Sequence, residues 1–274
     1  MKITTLIENS PGEHKALTHE HGLSFFIETD ALRILFDTGQ SGAFLANAEL
    51  LNVDLLGLDS VVISHGHYDH SGGFRSLTER TTRFNLFLGQ GFFREKYGQR
   101  GAACDYLGNN FDENFVQKQQ ISIKFVDEPL LEIASGVFLF SGFPRIHDDE
   151  IINRRFQILE AGQLCQDPFD DEIVLAVDSP QGLVVFLGCS HPGMKNILDA
   201  VVQRTGRPLF AVLGGSHLVE ASGTGMEESL HYLEKDSLKI VGLCHCTGQP
   251  AMDRLSAGNR RYFKIGTGSS VFIG

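Results

Sequence analysis

A short apolar run, Val61-Val62-Ile63, breaks directly into Ser64-His65-Gly66-His67-Tyr68-Asp69-His70-Ser71-Gly72-Gly73, and this junction constrains the chain more than any other stretch. Four potential metal ligands fall within six residues there. Side chains repeat every two residues in extended backbone, so His65 and His67 project to the same side. Past the strand end the chain turns, and Asp69 and His70 can fold back over the same point. Imidazole is the commonest protein metal ligand near neutral pH, and imidazole with carboxylate suits zinc, iron or manganese. The competing reading, a polar loop rich in His, leaves the dense spacing straight off a strand without a reason.

The remaining elements read as alternating strands and helices. Residues 2–7, 23–28 and 32–36 have the β-branched and aromatic content of strands, with Thr29-Asp30 turning the second into the third. Asp37 at the end of that hairpin, before Thr38-Gly39, is either a turn-former or an active-site carboxylate. Helical spacing follows at Phe44, Leu45, Ala48, Leu51 and Leu55. Gly72-Gly73 opens another short helix and lets backbone pass close to a bound ion or substrate. After a strand at 84–88, the pattern breaks down from about 89 to 120, a Gly-rich insertion holding Phe92, Phe93, Tyr97, Tyr106, Phe111 and Phe115. Its aromatics either anchor the loop to the core or stack on a flat ligand. Strands resume at 121–126, 137–140, 173–178 and 183–187, with Ser179-Pro180-Gln181-Gly182 as a hairpin turn. An amphipathic helix over 193–204, a strand at 208–213, a helix at 226–235, a strand at 238–243, a short helix near 250–256 and closing strands in 262–273 complete the chain. Hairpins and helices in both halves suggest two sheets with helices outside them, in one domain spanning 1–274.

Composition narrows the function classes. The net charge of −11 argues against a nucleic-acid backbone as partner. An anionic small-molecule substrate therefore needs a local basic or metal-lined pocket. The five Cys are scattered and odd in number, so no disulfide framework is implied. No signal peptide opens the chain and no apolar run approaches a membrane span, so the expected location is cytoplasmic.

Three more histidines follow apolar strands: His191 in Gly188-Cys189-Ser190-His191-Pro192-Gly193, His217 in Gly214-Gly215-Ser216-His217-Leu218, and His245 in Cys244-His245-Cys246-Thr247-Gly248. Ligand sites of layered α/β proteins gather beyond strand ends, so these positions converge with the first cluster. The succession Leu35-Phe36-Asp37-Thr38-Gly39, His65-Gly66-His67-Tyr68-Asp69-His70, His191 and His245 resembles the metallo-β-lactamase superfamily, whose HxHxDH motif matches at every fixed position. The phrases around Cys189, His217 and His245 are similar to its dihydropterin synthase-like group, an archaeal methanopterin biosynthesis enzyme and bacterial relatives. The likeness runs from about residue 3 to residue 270. It implies an αββα sandwich of two mixed sheets with helices on the outer faces and a metal site at one edge. It also implies that His65 and His67 bind a first metal with His191, that Asp69 and His70 bind a second with His245, and that Asp37 supports the histidine loop from behind the ligands.

The resemblance fails at one point. Many members carry an aspartate after the Gly that ends the strand matching 183–187, and it bridges two metals. Here Gly188 is followed by Cys189 and Ser190. Either Cys189 bridges as a thiolate, which favours zinc, or nothing bridges and one ion is bound. His217 is a further ligand, a substrate contact with a catalytic role, or a packed residue. His147 is expected in a surface loop, and Cys244 and Cys246 as small buried groups. The expected activity is that of a metallo-hydrolase holding one or two zinc ions (iron or manganese being the other candidates). Metal-bound water attacks an ester-type bond, a phosphoester or related group, with Asp69 orienting the water. The alternative is a dihydropterin-pyrophosphate-dependent transferase. A di-iron redox protein fits less well, because the second motif position is His67 and no length remains for a flavin domain. A structural zinc site would be closed by four ligands, and this chain offers more.

Overall fold

The computed structural model describes residues 1–221 and 223–274. In chain order its strands are β1 (Lys2–Ile7), β2 (Ser24–Glu28), β3 (Arg33–Phe36), β4 (Ser60–Val62), β5 (Asn85–Gly89), β6 (Lys96–Arg100), β7 (Ala103–Tyr106), β8 (Ser122–Val126), β9 (Leu130–Ala134), β10 (Val137–Phe140), β11 (Phe156–Glu160), β12 (Gln163–Gln166), β13 (Val174–Ser179), β14 (Gly182–Leu187), β15 (Leu209–Gly215), β16 (Ile240–Cys244) and β17 (Ser270–Phe272). The helices are α1 (Ala43–Leu50), α2 (Tyr68–Ser71), α3 (Phe74–Thr78), α4 (Glu113–Lys118), α5 (Met194–Thr205), α6 (Gly223–Tyr232) and α7 (Gln249–Gly258). Strands β17-β1-β2-β3-β4-β5-β8 form one mixed sheet and β16-β15-β14-β13-β10-β9 a second.

Side-chain alternation explains why these sheets stack. Along β2 and β3, Phe25, Ile27, Ile34 and Phe36 point between the sheets, where they meet Leu175, Val177, Val184 and Phe186 of β13 and β14. Their neighbours Phe26, Leu35 and Val61 face outward and pack beneath Phe44 and Ala48 of α1 and Phe74 and Leu77 of α3. On the other side Leu183, Val185 and Leu187 lie beneath Ile197, Leu198 and Val201 of α5, with Leu255 of α7. Every strand so covered is buried on both faces, which is why β14 reads as an unbroken apolar run. The result is the αββα sandwich expected from the sequence. Helix α5 closes at Gly206, whose φ of 66° supplies the left-handed stop.

The sequence reading missed a third sheet, of strands β12-β11-β6-β7. Half of it comes from the supposedly patternless 89–120 insertion, which also contains α4. The period is hard to see because β7 and β12 are almost wholly exposed and need no apolar face. Within the insertion Phe92, Phe93, Phe111 and Phe115 pack into the core beneath the first sheet, so they anchor it. Gly72 and Gly73 also have another use than expected. A Cβ at Gly72 would lie 2.3 Å from the Gln40 carbonyl oxygen and one at Gly73 2.2 Å from that of Thr38, so they admit the neighbouring turn.

The topology sets one edge apart. Strand pairs β3–β4, β4–β5, β14–β15 and β15–β16 are parallel. Their carboxyl ends therefore emerge together, and β1, antiparallel to β2, which is itself antiparallel to β3, ends there too. Phe186, wholly buried between the sheets, meets Phe25 and Phe36 at ring-centroid distances of 6.3 and 6.4 Å. Phe186→Ala is expected to cost about 3–5 kcal/mol by opening a cavity there. A urea-denaturation midpoint equal to that of the unaltered protein would contradict this packing.

Candidate metal centre

Strand β3 ends in Asp37, whose backbone sits in the left-handed region at φ 60°. That turn aims the carboxylate across the end of β4. Asp37 Oδ1 accepts the Ser64 N–H at 2.7 Å, and Oδ2 accepts the Ser64 hydroxyl at 2.9 Å and lies 2.7 Å from His70 Nδ1. Of the two readings the sequence left open, the structure shows a buried carboxylate bound to the histidine loop. The chain then bends at His65 and Gly66 and is extended again at His67, which precedes α2 at φ −100°, ψ 146°. His65 Nε2 and His67 Nδ1 lie 3.1 Å apart. The first turn of α2 carries Asp69 and His70 back toward them, and Thr38 donates from both its N–H and its hydroxyl to the His70 carbonyl at 2.7 and 2.9 Å.

The second sheet supplies the rest. Beyond β14, Ser190 at φ 65° bends the loop so that Cys189 and His191 face the same space. One donor group joins His65, Cys189 and His191, and another joins His70, Cys189 and His245, each with its ligand atoms within 4.8 Å of one another. Cys189 Sγ is 3.3 Å from His70 Nε2 and 3.4 Å from His245 Nε2, and those two nitrogens are 3.1 Å apart. Asp69 Oδ2 approaches His245 Nε2 at 3.3 Å and His70 Nε2 at 3.6 Å. The thiol thus stands where the two imidazole sets meet, the place the aspartate holds in the superfamily pattern.

Electrostatics fit a cation. Burial and the neighbouring ring of His70 hold His65 well below its ordinary pKa, burial and Lys96 do the same for His67, and burial and His217 for His191. All three are neutral imidazoles, the form that binds metals. Burial alone would raise Asp69, but His70, His21 and His245 outweigh it and keep the carboxyl well below the usual range. Burial lowers His70, yet Asp37 and Asp69 overcome that and lift it to about 9. Burial raises the Cys189 thiol, so losing its proton needs a nearby positive charge. His191 Nε2 is buried without a hydrogen-bond partner, as a nitrogen that would hold a metal ion is.

Carboxylates that the sequence reading did not single out hold the other loops. Glu172, just before β13, accepts the backbone N–H groups of Ser190 and, at 2.8 Å, His191. Its burial, only partly offset by those donors, raises it to about 8. Glu8, just after β1, accepts from His245 N at 2.7 Å and from Ser10 N. Asn9 Oδ1 meets His245 Nδ1 at 3.0 Å and leaves Nε2 facing the centre. Asp171 accepts from Gly66 N at 2.8 Å, and Lys96 Nζ ties it at 2.8 Å to Asp167, 2.6 Å away, all three buried. The run Asp170-Asp171-Glu172 straight before an apolar strand was the available signal. Phe156 and Phe169, both buried, face the imidazoles, and Phe169 stacks on His191 with centroids 3.8 Å apart.

His217 enters the site as well. Its ring centroid is 4.3 Å from that of His191. Neither ring nitrogen has a partner in hydrogen-bond geometry, Nε2 lying 3.2 Å from Glu220 Oε2 but off its axis. Burial opposes charge on this ring, but Cys246 and Glu220 beside it carry it to about 10. Cys246 is half-buried and lines the cavity, whereas Cys244 is fully buried as expected. His147 is outside the centre, half-buried and bound to Asp199 at 2.7 Å. A cavity of about 440 Å³ opens over the donors, lined among others by His21, His67, Asp69, Arg155, Phe156 and Met252. His191 and His217 separate it from a second of about 380 Å³.

A sandwich whose strand ends gather imidazoles, a carboxylate and a thiol at one edge is the architecture of a metallo-β-lactamase-type protein. The comparisons agree, and the chain belongs to the metallo-β-lactamase superfamily. The superfamily's model matches residues 17–82. The chain is 30% identical over 264 residues, 90% of its own length and 88% of the other's, to the 7,8-dihydropterin-6-methyl-4-(beta-D-ribofuranosyl)-aminobenzene-5'-phosphate synthase of Methanocaldococcus jannaschii. A crystal structure described as a metal-dependent hydrolase of the beta-lactamase superfamily superposes with a TM-score of 0.87 at 31% identity, covering 100% of this chain and 99% of that one. A diphosphatase structure at 12% identity, with a TM-score of 0.56 and 100% and 98% covered, shares the fold. Among the described residues no helix is long and apolar enough to cross a membrane.

Removing the Asp37 carboxylate by Asp37→Ala frees Ser64 and His70 and is expected to lower affinity for a divalent metal ion about 10- to 100-fold, read by competition with a chromophoric chelator. Lys96→Met strands two buried carboxylates and is expected to cost about 3–5 kcal/mol in chemical denaturation. Retention of full stability would mean that the buried cluster is not ionised.

Proposed function

We propose that the chain is a metallo-hydrolase that binds two zinc ions and cleaves an ester-type bond, of the phosphoester class, in a small anionic substrate in the cytoplasm. The observation that carries this reading is the position of Cys189, whose sulfur belongs to both imidazole groups. His65, His67 and His191 would hold one ion, Asp69, His70 and His245 the other, and Cys189 would lie between them. A thiolate in the set favours zinc over iron or manganese. Ions bound there supply Lewis acidity toward a substrate oxygen and bring the pKa of a coordinated water toward about 7.

The chain's own groups do the remainder. Asp69, kept ionised by its imidazole neighbours, accepts a hydrogen bond from water and orients it. His217, protonated and facing the cavity beside His191, donates toward the leaving oxygen. Arg155, its guanidinium 4.1 Å over the Phe156 ring at the cavity wall, attracts an anionic group into an otherwise acidic protein. Phe156 and Phe169 keep bulk water from the imidazoles.

A second reading is a dihydropterin-dependent transferase, favoured by the 30% identity to the archaeal synthase and by two cavities that share the His191–His217 wall. Zinc-loaded protein offered phosphodiesters, and separately a pterin pyrophosphate with an aryl amine, distinguishes the two. Diester cleavage supports the hydrolase, and pterin transfer without it supports the synthase. Fully loaded protein inert toward both overturns each reading. His67→Ala is expected to lose bound metal and turnover while the far-UV circular dichroism stays unchanged. Collapse of the fold would point instead to a structural metal.

A further inference from the structure

Two donors in the cavity are left over once the dinuclear set is assigned. Cys246 follows the ligand His245, and His217 ends the loop after β15. Together with Cys189 they form a third donor group, whose sulfurs and ring nitrogen lie within 4.8 Å of one another. All three line the same cavity. The group is built rather than incidental. The His217 N–H donates to Cys246 Sγ at 3.3 Å, and the Cys246 thiol donates to the Cys189 carbonyl at 3.4 Å. His217 holds a left-handed φ of 50°, and a Cβ at Gly215 would come within 2.6 Å of Cys246 Sγ, so the loop leaves that sulfur just enough room. Nδ1 of the His217 ring is buried without a hydrogen-bond partner, and Nε2 has only the Glu220 carboxylate nearby, 3.2 Å away and outside hydrogen-bond geometry.

We infer that Cys189, His217 and Cys246 form a third metal site, selective for soft divalent cations, whose occupancy blocks the cavity. Two sulfurs and an imidazole select zinc or cadmium and reject magnesium, calcium and manganese. An ion entering there displaces the protons of the thiols and of the ring. It takes its fourth contact from the cavity side, where substrate would stand, and it draws on the sulfur that the dinuclear centre shares. Saturating zinc or cadmium is therefore inhibitory, with His217 and Cys189 both diverted. The inference needs only these three side chains and stands whichever reaction the dinuclear centre performs.

The test is cadmium titration of protein loaded with two equivalents of zinc and no excess, followed by metal analysis and by thiolate-to-cadmium absorption in the ultraviolet. The expected result is one further ion per chain with thiolate absorption, absent in Cys246→Ser, which keeps its zinc and its circular dichroism. Equal uptake by the variant, or no further ion in the unaltered protein, overturns the inference. A second measurement needs no variant. Iodoacetamide labelling of Cys246, read by peptide mass against the exposed Cys165, should slow about tenfold or more when cadmium is bound. Labelling at an unchanged rate overturns the inference as well. The dinuclear reading fails separately, if the zinc-loaded starting protein holds fewer than two zinc ions.

Discussion

Buried carboxylates, bonded to backbone amides, are what this centre depends on. Glu8 accepts an N–H from the His245 stretch, Glu172 from the His191 stretch, and Asp37 and Asp171 from the histidine loop at Ser64 and Gly66. A carboxylate out of water costs several kcal/mol unless its oxygens are satisfied, and here loops that carry metal donors satisfy them. The dependence is mutual. Loops with left-handed residues at Asp37, Ser190, His217 and His245 have little local preference for these shapes. The carboxylates behind them supply the missing specification, and they stand on or beside strand ends fixed by the stacked sheets.

This division leaves His65, His67 and His191 neutral, while Asp37 and Asp69 lift His70 to about 9. Negative charge is held one layer back, where it orients His70 through Nδ1 and His245 through its backbone. The nitrogens that face inward stay free for a cation. The third sheet completes the enclosure by bringing Phe156 over the imidazoles and Lys96 under Gly66. Lys96 neutralises a pair of aspartates that would otherwise repel each other beneath the centre.

Much of this could be read from residue order. Asp69 and His70 return because a helix begins at once, as local geometry foretold, and His65 and His67 do meet at 3.1 Å, although the chain bends between them instead of running extended. The layers were legible too, because strands covered on both faces must be apolar throughout. The third sheet was not, since its outer strands are exposed and carry no period. Glu8 was equally hidden, because a lone carboxylate beside a strand looks the same whether it meets solvent or a buried amide, and Glu172 showed only as the end of the acidic run before β13. Cys246 was misread for a related reason: alternation along an extended strand places it away from His245, but the chain leaves the strand at Cys244 and turns through residues 245–247.

The sequence by itself determined the ligand types, the loop that carries most of them and the sandwich that presents it, because each follows from spacing along the chain. Tertiary structure alone decided that Cys189 stands between two imidazole sets, that four distant carboxylates hold the loops, and that His217 and Cys246 gather beside that thiol. Those facts are distances between residues 18 to 237 positions apart, set by how parallel strand ends meet at one sheet edge. No local period encodes such a distance.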